Sequence, residues 1–323
     1  MDFTHCKQRK IKGIEEETPI LVPSFSSKGF PEVGDLYNNL KEYLTDVSLV
    51  SAYDLHYKNI NIDSIYETDM LLIDSGGYER DKEHDLSTIY RDRHISETWN
   101  RELHHSLLEK IESLTNILIV NFDSTETMPL SRQLELANET FAQYPDFASD
   151  FLCKPSSSYP LINIDEYCQN IDLISNFSVV GFTEKELGFS LLERCKNIYR
   201  VRKSLENKNL EIPIHIFGCI DPLNIIVYFL SGADIFDGLS WLRFAFNNDY
   251  PTYFNSYSIS NELWSFEDDE VKALAILENL RILCDLKERL IEFTSSNNWD
   301  SLNLDENTLL QIRKLSNMIK KGE

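Results

Sequence analysis

The chain has 323 residues, 42% of them hydrophobic, and a formal net charge of −22. That length is normal for one α/β barrel with a large core, and no run of 18 apolar residues exists to form a membrane span. The acidic balance argues against a generic nucleic-acid binder, because such a surface repels phosphate unless its basic residues cluster. No N-terminal signal peptide is visible, so a cytoplasmic location and no membrane contact are expected.

Taken in chain order, short apolar runs alternate with helical patterns. Strands are predicted at 19–25, 47–52, 70–74, 116–123, 148–153, 177–182, 212–217 and 234–239. Helices are predicted between them at 32–45, 88–114, 129–143, 164–174, 189–206 and 222–231. Asp221-Pro222 reads as an N-cap followed by a proline at the first helical position, and Gly232 as the turn that ends the helix. Such alternation predicts a parallel sheet, and eight strands predict a closed (β/α)8 TIM barrel. An open doubly wound sheet is the second choice, and its Gly-rich first turn is missing. From 244 to 264 the chain turns aromatic and polar. Long amphipathic helices are then expected over 267–293, where Ile276, Leu280, Leu283, Leu286, Leu290 and Phe293 recur at helical spacing, and over 305–320. The barrel is assigned to 1–245, and 246–323 to helices packed on it.

Three of the runs end on a carboxylate. Met70-Leu71-Leu72-Ile73 meets Asp74-Ser75-Gly76-Gly77-Tyr78, Ile117 to Phe122 meets Asp123, and Ile235-Phe236 meets Asp237. Burying a carboxylate there is costly unless it has a partner or a task. In a barrel all three would ring the C-terminal mouth, together with Gly181 and Gly218. Paired carboxylates can then divide into a nucleophile and a general acid/base, and the glycines let a ligand approach the backbone. Capping of the following helices remains an alternative use for any one of these aspartates.

Other residues read more simply. The six cysteines are scattered, which supports neither a disulfide framework nor a zinc knuckle. The basic cluster Arg194, Lys196, Arg200, Arg202, Lys203 and Lys208 reads as a solvated helix face. His215 reads as a hydrogen-bonded core histidine, His104 and His105 as surface residues of a helix, and Trp241 and Phe244 as packing.

Four islands together resemble the tRNA-guanine transglycosylase superfamily: Thr18 to Pro23, Leu72-Ile73-Asp74-Ser75-Gly76-Gly77-Tyr78, Asn121-Phe122-Asp123, and Gly232-Ala233-Asp234-Ile235-Phe236-Asp237. The likeness spans roughly residues 18 to 290, and only the islands are specific. It implies a (β/α)8 barrel that exchanges guanine in a polynucleotide for a 7-deazaguanine base. Asp237 falls on the family's nucleophile and Asp74 on its acid/base carboxylate. Asp123 falls on the residue that reads the purine edge, with Ser75, Gly76, Gly181 and Gly218 around the base. Arg243 falls on an arginine that meets the polynucleotide backbone.

The departures are specific. No cysteine or histidine follows Arg243 before the long helix, and Glu278 stands where the family has its ligand histidine. No structural zinc, and no other cofactor, is therefore expected. Glu79 replaces a glutamine, and Lys154 is the nearest counterpart of the glutamine that holds the base. DNA relatives in the superfamily insert 7-deazaguanines, and this divergence fits a DNA-modifying or phage-defence role. An acidic subunit on DNA would call for a basic protein partner, and a homodimer stays open. Two other readings stand beside base exchange: a non-catalytic subunit of a heteromeric complex, and an enzyme acting on a free nucleoside.

Overall fold

A computed structural model describes residues 3–80 and 95–320. Eight parallel strands form its frame: β1 (Ile20–Pro23), β2 (Val47–Ser51), β3 (Met70–Asp74), β4 (Asn116–Val120), β5 (Ala148–Cys153), β6 (Val179–Thr183), β7 (Ile214–Phe217) and β8 (Ile235–Gly238). From β2 onward each strand pairs with the next in sequence, and β8 returns to β1. The seam between β1 and β2 is bridged at Ser24–Leu49, where the Phe25 N–H donates to the Leu49 carbonyl at 3.1 Å. The result is a nearly closed (β/α)8 barrel. The expected strands are all present, because a strand covered on both faces is written as a continuous apolar run, as in Met70-Leu71-Leu72-Ile73.

The helices are α1 (Val33–Leu40), α2 (Ala52–His56), α3 (Gly77–Arg80), α4 (Arg101–Leu108), α5 (Leu130–Phe141), α6 (Ile164–Gln169), α7 (Leu191–Asn207), α8 (Pro222–Phe229) and α9 (Ser240–Arg243). An antiparallel ribbon of β9 (Ala245–Asn247) and β10 (Tyr250–Thr252) follows, then α10 (Phe254–Ser260), α11 (Asp268–Ser296) and α12 (Glu306–Lys320). The Asp221 cap forms as expected, accepting from the Asn224 N–H at 2.9 Å ahead of Pro222. The helix expected over 88–114 is shorter: α4 begins at Arg101, residues 95–100 are irregular, and residues 81–94 lie outside the described residues. No described helix is long and apolar enough to cross a membrane.

The barrel floor is apolar. Ile20, Val22, Leu49, Met70, Leu72 and Leu118 fill it, and Ile11 and Ile14 of the N-terminal segment plug it from below. The C-terminal helices complete the wall. Leu286, Leu290 and Phe293 of α11 are fully buried, and Phe293 and Trp299 close on Phe3 with ring centroids 5.6 and 5.2 Å away. Asn279 of α11 fastens the stretch after β8: its amide nitrogen donates to the carbonyls of Trp241 and Phe244, both at 2.7 Å, and its oxygen accepts from the Phe246 N–H at 2.6 Å.

Two readings of single residues change. Arg202 does not belong to a solvated face. It is fully buried, and with Arg9 it clasps Asp234, at the entry to β8, whose Oδ1 lies 2.6 Å from Arg9. His104 is not a surface residue either. It is fully buried, one helical turn from Leu107 and Leu108 on the inner stripe of α4.

Candidate active site

Strand parity builds the site. Ile235, Met70 and Ala148 point into the barrel floor. Side chains two or four residues further along each strand share that face, so Asp237 and Asp150, at two, and Asp74, at four, also point inward. His215 of β7 lies between β8 and β6 in register with Ile235 and Gly181.

Asp237 is buried and held on both oxygens. Its Oδ2 accepts from the Ser24 hydroxyl at 2.9 Å, and its Oδ1 accepts from the Gly218 N–H at 3.0 Å. The His215 Nε2 lies 3.3 Å from Oδ1. Ser24 is itself fixed, because the Gly238 N–H donates to its hydroxyl at 3.1 Å and the Trp241 indole donates to its carbonyl at 3.1 Å. Trp241 is thus packing, as expected, and it also braces the site. Gly218 has φ +80°, and nothing lies within 4 Å of where a Cβ would stand. The glycine supplies the left-handed turn that aims its N–H at Asp237.

Asp74 faces the same space. Burial first, and then the negative charge of Asp237, push its carboxyl up to about 6, against hydrogen bonds from Gly76 and Ser75 that pull it down. The Gly76 N–H donates to Asp74 Oδ2 at 3.2 Å. Gly76, at φ +80°, has no room for a side chain: a Cβ would come within 2.7 Å of Trp99 Nε1 and 2.8 Å of Tyr53 Cβ. Its lack of a side chain therefore serves the packing behind the loop. Ser75 is buried, its carbonyl accepting from the Trp99 indole at 2.8 Å.

Asp123 stands at the next strand end, close enough that a Cβ on Gly77 would sit 2.6 Å from its Oδ2. Lys154 lies 3.5 Å from Asp123 Oδ2 and 2.7 Å from Glu186 Oε1, so one ammonium bridges two carboxylates. Gly181 is required by its neighbours, since a Cβ there would stand 2.4 Å from the Phe217 ring and 2.9 Å from Asp150 Oδ1. Arg243, on α9, donates to the Tyr78 hydroxyl at 3.2 Å, and the Lys28 ammonium lies 4.3 Å from the centroid of the Tyr78 ring. This basic and aromatic group forms one rim of the mouth. Beside the mouth lies a cleft of about 410 Å³, counting space open to solvent. Arg101, Phe122, Gln133 and Lys154 help to line it, and neither Asp237 nor Asp74 does.

Three groups in the centre were not among the site residues expected from the sequence. Asp150 is fully buried, with Oδ2 2.6 Å from His215 Nδ1. Burial works against a charged His215, but the carboxylates of Asp150 and Asp237 outweigh it and push the imidazole up to about 9. Glu79 is 2% exposed, and its carboxyl is contacted by the Ser26 hydroxyl and, at 2.8 Å, by the Ser51 hydroxyl. Burial, with Asp54 and Asp74 nearby, pushes Glu79 up to about 8. A neutral carboxylic acid has nearly the shape and the hydrogen-bonding pattern of an amide. Kept neutral, Glu79 fills its place between the two serines much as an amide would. Parity with Ala148 puts Asp150 on the inner face of β5, and that parity alone does not separate a core brace from a site residue.

Among the described residues, no three His, Cys, Asp or Glu side chains are grouped to hold a metal ion. Glu278 instead pairs along α11 with Arg281, at 2.5 Å. No protein-family model matches the chain, and no curated protein matches it.

Proposed function

We propose that the protein is an N-glycosyl transferase that exchanges a guanine-type base on a nucleic acid, DNA or tRNA, for a 7-deazaguanine through a covalent intermediate on Asp237. An Asp237 carboxylate oxygen attacks C1′ as the C1′–N bond breaks. The bond's electron pair leaves with the base nitrogen, which takes the proton of Asp74. The incoming base returns its N–H proton to Asp74 and attacks C1′, and the ester bond's electron pair goes back to Asp237. Nothing is oxidised or reduced, and no metal or cofactor enters the scheme.

The observation that carries this reading is the pairing of an anchored carboxylate with a second carboxyl raised to about 6 beside it. One group is oriented as a nucleophile and the other is kept able to hold a proton near neutrality, the division of labour that retaining glycosyl transfer requires. Asp123, bridged to Lys154, offers an acceptor and a donor for the edge of the base. The Arg243–Tyr78–Lys28 rim suits a phosphate or a stacked sugar.

Labelled guanine, offered with tRNA, duplex DNA or guanosine, tests the scheme. Label should enter one substrate, and Asp237→Asn should lower the rate on the order of 10³-fold or more. Exchange at the wild-type rate by Asp237→Asn would remove the assignment.

A second reading, turnover of a free nucleoside, is favoured by charge. The chain carries −22, and four of the six basic residues around α7 are paired locally: Arg194 with Glu184 at 3.0 Å, Lys203 with Glu206 at 2.9 Å, Lys208 with Asp172 at 2.6 Å, and Arg200 with Asp165. Base release from guanosine without any polymer would select it. A basic protein partner is the other way to supply the missing positive surface, and a polymer substrate modified only in its presence would point there.

A further inference from the structure

We infer that Asp150, His215 and Asp237 act as one unit in which His215 is held as the imidazolium and positions Asp237 as a standing anion at the barrel mouth. What that anion does rests on the base-exchange reading. The charge arrangement itself does not.

The argument begins with burial. Asp150 and His215 are fully buried, and Asp237 is 6% exposed. Two carboxylates enclosed this way, with Asp74 next to Asp237, would be driven to take up protons unless a cation sat among them. His215 is placed to be that cation. Its Nδ1 is 2.6 Å from Asp150 Oδ2 and its Nε2 is 3.3 Å from Asp237 Oδ1. A neutral imidazole carries one N–H and can turn it to only one of these carboxylates, whereas the imidazolium presents an N–H to each: the Nδ1 contact is a hydrogen bond, and the Nε2 contact is an ion pair outside hydrogen-bond geometry. The Phe217 ring, its centroid 3.8 Å from that of the imidazole, packs against it. The groups that face His215 are Asp150 from β5, Gly181 from β6, Phe217 from its own strand and Asp237 from β8. Asp74, on β3, acts through Asp237.

The arrangement also explains why two neighbouring carboxyls behave differently. With the imidazolium on its Oδ1, Asp237 keeps its charge, and that charge raises Asp74, which takes the proton. When Asp237 becomes an ester, His215 still faces Asp150, so the unit passes from one net negative charge to a neutral pair and strands no lone cation. His215 is thus a positioning residue, and Asp150 orients it in turn.

Imidazole NMR of the whole chain reads this without a substrate. The His215 signals, identified by their loss in His215→Gln, should show a doubly protonated ring at pH 7, with titration only at higher pH. Asp150→Asn should move that titration down by roughly one to three pH units. A neutral ring at pH 7 would overturn the inference. The pH–rate profile of base exchange supplies a readout that a merely structural role would not move. His215→Gln removes a cation from both aspartates, so both limbs should move to higher pH. Asp150→Asn removes a negative charge while His215 is still protonated, so both limbs should move to lower pH. A uniform loss of rate with unmoved limbs would count against the unit. An imidazolium in a wild-type protein that exchanges no base would sink the base-exchange reading and leave the charge arrangement standing.

Discussion

A carboxyl deprived of water takes the protonation state its neighbours permit, and at Glu79 that state has a measurable consequence. Its folded value is about 8 against an ordinary 4.5, so the folded protein binds a proton there that the unfolded chain has released. The stability contributed by the neutral acid is complete below about pH 4.5 and is lost as the pH rises through 8. Glu79→Gln keeps the shape and cannot ionise. It should melt close to the wild type at pH 5 and above it at pH 9, by an amount on the order of 1–3 kcal/mol. Equal melting temperatures at both pH values would mean that the carboxyl ionises in the fold without penalty. Asp74, Asp123 and Asp237 were legible because each interrupts an apolar run at its end. Asp150 and His215 were not legible as site residues, because a polar residue inside a doubly buried strand looks the same whether it braces the core or the chemistry. Only the three-dimensional meeting of β5, β7 and β8 separates the two. His104 was missed for a related reason: adjacent histidines suggest a polar surface, yet the stripe of His104, Leu107 and Leu108 turns the first of them inward.

At the scale of elements, the strands were readable because burial on both faces leaves little freedom in composition. Segments held by tertiary contacts were harder to read. Residues 95–100 carry Trp99, whose indole ties to the Ser75 carbonyl and backs Gly76, so that stretch serves the site instead of extending a helix. Arg202 shows the same limit, since nothing in a basic run marks the one arginine that turns inward. At the barrel floor Asp234 accepts from Arg9, from Arg202 and, at 2.7 Å, from the Ile214 N–H. It joins the N-terminal segment and α7 to the entries of β7 and β8, the end of the barrel opposite the mouth, where residues serve stability. Asp234→Ala would leave the Arg202 guanidinium buried without its ion-pair partner, and Arg9 with Glu211 alone, 3.3 Å from its Nε. Urea denaturation should show a loss of about 3–5 kcal/mol. A loss below about 1 kcal/mol would mean that water or the nearby carbonyls already satisfy both arginines.

For the whole molecule, the barrel explains how the groups converge, and the charge decides what can reach them. Net charge was fully legible, but its distribution was not: most of the basic residues near α7 are held in local ion pairs, so little of their charge is left for a polyanion. A protein carrying −22 repels a phosphate chain over a distance set by the Debye length, about 10 Å at 0.1 M salt. Ordinary nucleic-acid binders lose affinity as salt rises, because they release counterions when their cations meet phosphate. Here the sign should reverse. If the isolated chain modifies a polynucleotide, its kcat/KM should rise between about 20 and 150 mM salt as the repulsion is screened. Turnover of uncharged guanosine should stay flat over that range. A steep fall with salt on a polymer substrate would mean that a local basic surface, such as the rim of Arg243 and Lys28, outweighs the global charge. Should that fall appear only when another protein is added, the phosphate contacts would belong to the partner, and the barrel would supply the chemistry alone.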